Sequence, residues 1–139
     1  MNPVLKNILA VIAGWIIGSV VNMALIQLGY SLYPLEGVDP NDMEALAAIM
    51  STLAPKHFIF PFLGHALGTL VGATVAAMIA ASNKMKMALV VGIIFLLGGI
   101  AVNLMLPGPT WFAAVDILLA YAPMAWIGGK IAQRTSQRP

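Results

Sequence analysis

Apolar side chains run almost unbroken through about residues 8–29, 58–81, 85–106 and 111–131, and the charged residues gather in the gaps between them. About 20 apolar residues in a helix, rising 1.5 Å each, cross a hydrocarbon core of about 30 Å, and each run meets that length. The pattern predicts an all-α integral membrane protein: a single domain, residues 1–139, folded as a four-transmembrane-helix bundle. A composition of 60% hydrophobic and 9% charged residues agrees, and few residues are left over for a soluble domain.

The connections differ in length. Ser82 to Lys84 and Pro107 to Thr110 are tight turns that force antiparallel neighbours, whereas the first connection runs over residues 30–57. Long connections without structure or role are uncommon. This one predicts a short extra helix. Asp39 can cap it and Pro40 suits its first position, Met43, Leu46, Met50 and Leu53 recur at helical spacing, and Ala54-Pro55 ends it. Such a helix either shields the span ends at the membrane surface or covers a pocket.

Charge sets the orientation. Lys6, Lys84, Lys86, Lys130, Arg134 and Arg138, six of the seven basic residues, fall on one side of a four-span path. The positive-inside rule makes that side cytoplasmic, so a multi-pass protein of the cell (cytoplasmic) membrane with both termini inside is expected. Glu36, Asp39, Asp42 and Glu44 then lie in the outer loop. No small-Xaa-small pattern follows the first run, which reads as a span rather than a cleaved signal peptide. No basic stripe with interleaved aromatics exists, so the formal charge of +2 reflects topology and a nucleic-acid partner is excluded. The absence of cysteine rules out disulfides, thiolate metal sites and thiol catalysis. Tyr30, Tyr33, Phe58, Phe60, Phe62 and Trp111 mark the outer boundary and Trp126 the inner one, with Trp15 and Tyr121 deeper.

Small residues recur every four positions. Gly64, Gly68, Gly72, Ala76 and Ala80 line the second run, Ala10, Gly14 and Gly18 the first; Gly92 and Gly99 mark the third, Ala120 and Pro123 the fourth. Such faces let helix backbones approach closely in lipid. They serve packing within the chain, a homo-oligomer, or a membrane-protein partner.

Each run also places one strongly polar residue in its outer half: Asn22, His65, Asn103 and Asp116, with Thr69 on the His65 face. Ionisable groups at membrane depth are costly and face a bundle interior or a water-filled cavity, which makes these five residues candidate ligand-binding positions. An Asp and a His can share a proton near neutral pH. The alternative is a polar cluster that fixes helix register, with Asn22 and Asn103 bonding Asp116 and His65. The segments GSVVNMAL (Gly18 to Leu25) and GIAVNLML (Gly99 to Leu106) form a weak tandem repeat of the two hairpins, and transporters bind ligand where repeats meet. Pro123 removes a backbone hydrogen bond and leaves the Leu119 carbonyl free, a kink that opens a cavity or serves as a hinge.

The leading expectation is binding or translocation of a small molecule or ion, with the acidic outer loop favouring a cation. Its rival is an accessory or scaffold protein packed through glycine faces. An intramembrane enzyme is less favoured, because HExxH is absent and Ser19, the one serine well inside a span, has no evident base. No cofactor and no metal is expected; a Cu(I) site from Met23, Met105, His57 and His65 is the one metal arrangement the residue types allow.

Overall fold

The first helix begins where Asn2 accepts a hydrogen bond from the Val4 N–H at 2.8 Å, with Pro3 supplying a preset φ in the first turn. It ends at Tyr33, where the following Pro34 disfavours helical backbone. In the computed structural model, which describes residues 1–137, this helix α1 spans Pro3–Leu32. Arg138, counted above among the cations, lies outside the described residues. α1 overruns the apolar run at both ends, because hydropathy marks the lipid-compatible stretch whereas the backbone stays helical until a residue stops it.

The connection does contain a short helix, α2 (Met43–Ile49), which starts later than expected. Asp42 caps it, accepting from the Ala45 N–H at 3.0 Å, while Asp39 instead accepts from the Asn41 N–H at 2.8 Å and closes a local turn. Single 3₁₀ turns at Met50–Thr52 and Pro55–Phe58 lead into α3 (Ile59–Ile79). α4 (Lys84–Met105) follows a turn in which Asn83 takes the left-handed φ of 51° that asparagine tolerates. Asn7 of α1 accepts from the Ala81 N–H at 2.9 Å and so fastens the start of α1 to that turn.

The fourth apolar run, expected as one span, is two helices: α5 (Thr110–Leu119) and α6 (Ala122–Ser136), interrupted at Ala120–Tyr121. Pro123 explains the interruption, since its ring would clash with the Leu119 carbonyl in a continuous helix. Placed in the first turn of α6, its missing N–H removes no bond.

The described residues are helical with no strand, and four segments, Pro3–Leu32, Pro55–Ile79, Lys84–Met105 and Thr110–Ser136, are long and apolar enough to cross a membrane. α3 is the hub, packed by α1, α4 and α6. Against α1 it presents its glycine face. A Cβ on Gly18 would lie 2.5 Å from the Gly68 carbonyl oxygen, and one on Gly72 2.6 Å from that of Gly14, so the two backbones touch only because both sides lack side chains. On its other side, Ala73 and Ala77 of α3 join Ala88, Ala125 and Ala132 in a fully buried cluster. Bulky apolar side chains point outwards, Ile16, Val20, Leu97, Leu104 and Leu118 among them. Trp15 also sits on this outer face, with 48% of its surface exposed.

Candidate functional site

Asp116, in the second turn of α5, is completely buried and holds three neighbours together. Its Oδ1 lies 2.7 Å from His65 Nδ1 on α3. Its Oδ2 accepts from the Tyr121 hydroxyl at 3.0 Å and from the Asn103 amide of α4 at 3.3 Å. A buried carboxylate is tolerated only when donors surround it, and α3, α4 and the break between α5 and α6 supply them here. The Asn103 amide nitrogen also donates to the Gly99 carbonyl at 2.9 Å, which fixes the amide orientation and leaves its Oδ1 as a free acceptor. The His65 ring stacks on Tyr121 at 5.8 Å between centroids, and Gly99 makes room for the Tyr121 hydroxyl.

With Nδ1 donating to Asp116, the neutral His65 ring carries its lone pair on Nε2. That atom has no hydrogen-bond partner among the described residues and is not enclosed. His65 lines a cavity of about 100 Å³, which has room for several waters or a small organic molecule. His65 and Asn103 form the polar end of this cavity. Tyr30, Tyr33, Phe58, Phe60 and Phe112 form its walls, and Leu35, Leu46, Met50 and Leu53 of the first connection cover it. The wall is braced by aromatic contacts, Phe58 lying 4.7 Å from Phe112 between ring centroids. At the mouth, Lys56 sits 5.8 Å over the Tyr33 ring and His57 meets that ring edge-on. Chemically, the arrangement is an apolar, aromatic chamber with two hydrogen-bond acceptors at one end. Protonation of His65 would turn one of those acceptors into a donor.

The five residues singled out from sequence separate into three groups. His65 and Asn103 line the cavity, and Asp116 stands behind His65 without reaching it. Thr69 is fully buried, and its hydroxyl is spent on the His65 carbonyl at 2.7 Å. Asn22 lies on the far side of α3, where its Oδ1 is buried and unpartnered, 2.8 Å from where a Cβ on Gly64 would be. It bonds neither Asp116 nor His65, because it continues the α1 glycine face onto Gly64 and Gly68, whereas His65 is one position round the helix. Met23 and Met105 are exposed on outer faces, away from His57 and His65, so the four candidate copper ligands do not meet. Among the described residues no three His, Asp or Glu side chains gather as a metal site.

Tyr121 was missed as a site residue. In a straight helix, positions 116 and 121 are about 140° apart and face different ways; the interruption at Ala120–Tyr121 turns the phenol back onto the carboxylate. Pro123 was the available signal. No family model, curated protein or solved structure matches the chain.

Proposed function

We propose that this chain is a multi-pass protein of the cytoplasmic membrane, with both termini inside, that binds a small molecule or ion entering from the outer face. The observation that carries the reading is His65, held by Asp116 through Nδ1 and standing in the lining of a covered cavity. The outward-facing bulky side chains support the membrane location, because large contiguous apolar surfaces are unfavourable in water. His65 Nε2 and Asn103 Oδ1 are both acceptors, so the complementary ligand carries N–H or O–H donors. Aromatic walls and the acidic connection favour a cation among such ligands, a small amine in particular.

Binding is favoured over an open path. Below the cavity, Ala73, Ala76, Ala77, Ala88 and Ala125 are completely buried, so passage to the inner side requires the helices to move. The scaffold alternative finds less support, since the glycine faces of α1 and α3 are used on each other; of the helical glycines only Gly98 looks onto open space. An enzyme reading finds no serine or threonine nucleophile, because no Ser or Thr lines the cavity.

The test is thermal unfolding of purified protein, followed by tryptophan fluorescence, across a panel of small amines, inorganic cations and neutral alcohols. A ligand that raises the midpoint of the wild type and not that of a folded His65→Gln variant supports the site. A panel without effect, or a shift that survives the substitution unchanged, sinks it.

A further inference from the structure

We infer that the end of α6 carries a binding site for an anionic phospholipid, with Lys130 and Arg134 holding the phosphate and the acyl chain lying along Trp126, Ile127 and Ile131. The inference rests on the membrane location proposed above and is independent of the cavity.

It starts from uncompensated charge. The five acidic residues are Glu36, Asp39, Asp42, Glu44 and Asp116, four in the connection over the cavity and one inside the bundle. Lys6, Lys84, Lys86, Lys130 and Arg134 collect at the opposite end, which Asn7 bonding Ala81 and Lys84 bonding Ser136 tie together. Among the described residues no Lys or Arg lies within ion-pair distance of an acidic side chain, so none of these cations has an acidic partner there. The acidic side chains of the described residues supply these cations with no counter-anion.

On α6 the cations are arranged rather than scattered. Trp126, Lys130 and Arg134 recur every four residues on one exposed stripe, and Ile127 and Ile131 form the row beside it. An open groove runs along these residues, with Gln133 and Gln137 at its far end. Lys130 Nζ lies 5.4 Å over the Trp126 ring, a cation–π contact that draws the ammonium back over the indole. From Trp126 to Arg134 the stripe rises about 12 Å, with Trp126 and Ile127 at its start, Lys130 and Ile131 one turn further on, and Gln133, Arg134 and Gln137 at its far end. That sequence matches the passage from acyl chain to headgroup, and it is the apolar half that selects a lipid over a soluble phosphate.

The experiment measures lipid retention by native mass spectrometry of the full chain in detergent, with phosphatidylglycerol or phosphatidylcholine added. The wild type is expected to hold phosphatidylglycerol preferentially. The Lys130→Gln/Arg134→Gln pair should hold it about 25-fold more weakly, at roughly fivefold per cation. Lys6→Gln/Lys86→Gln removes the same charge from exposed positions at the same end and should change retention little. Equal losses in the two pairs would mean diffuse attraction and overturn the site, as would a wild type that shows no preference for phosphatidylglycerol. Displacement of the bound lipid by inorganic phosphate at matched concentration would assign the cations to soluble anions and overturn it too. Flotation of the wild type with membranes at high pH tests the membrane location separately: failure there removes both proposals, whereas membrane retention without lipid preference removes this one alone.

Discussion

At the scale of single residues, the Asp116 carboxylate is the point where three helices agree, and its two oxygens are unequally loaded. Oδ1 serves His65 alone; Oδ2 accepts from both Tyr121 and Asn103. Asp116→Asn keeps the shape but sets an NH₂ against at least one donor. It should destabilise by about 1–3 kcal/mol, the penalty for a buried group left unsatisfied. Tyr121→Phe removes one donor of two from Oδ2 and should cost about 1 kcal/mol. Asp116→Ala orphans His65 Nδ1, the Asn103 amide and the Tyr121 hydroxyl together and should be the worst of the three. Unfolding in a detergent mixture, followed by tryptophan fluorescence, gives the order; a Tyr121→Phe change as large as Asp116→Ala would show that the phenol matters through packing rather than through its bond. Sequence alone put Asn22, His65, Asn103 and Asp116 in one outer-half layer, because helical rise converts numbering into depth. It could not place Tyr121 beside them, since an i to i+5 contact needs a broken helix.

At the scale of elements, helix existence was legible and helix boundaries were not, for a physical reason. Hydropathy reports solvent preference, while caps and prolines decide where the backbone stops. Asp39-Pro40-Asn41-Asp42 offers two candidate caps within four residues, and the local turn at Asp39 leaves Asp42 to cap α2. The glycine faces were legible as faces, though not as partners of one another. Their use sets a paired expectation. Gly18→Ala drives a Cβ to 2.5 Å from the Gly68 carbonyl oxygen and 2.9 Å from the Phe95 ring, both sides of which are held by neighbouring helices. It should destabilise by about 1–3 kcal/mol. Gly98→Ala meets nothing within 4 Å and should be neutral or stabilising by up to about 1 kcal/mol, through backbone entropy alone. The same unfolding assay measures both, and equal effects would mean that α1 and α3 are not held at this separation.

At the scale of the whole molecule, the arrangement inverts the usual globular one, with alanine and glycine inside and isoleucine, leucine and tryptophan outside. Helix order within the bundle was not legible, because the small faces on every helix permit several arrangements. That order decides which polar residues meet. Asn22 and Asn103 occupy matching places in the repeat, yet Asn22 rests against glycines of α3 while Asn103 bonds Asp116. The resulting molecule is polar at its two ends in opposite senses, acidic over the cavity and basic at the α3–α4 turn and the end of α6. If charge sets orientation, the basic end stays inside, and the absence of cysteine makes this directly measurable, since a single introduced thiol is the sole labelling site. Asn41→Cys and Ser136→Cys are exposed at the two ends. In intact cells a membrane-impermeant maleimide should label the thiol at position 41, and should reach that at 136 only after the membrane is opened. The reverse pattern would put the cavity on the cytoplasmic side, and its ligand would then have to be sought among cytoplasmic solutes rather than outside the cell.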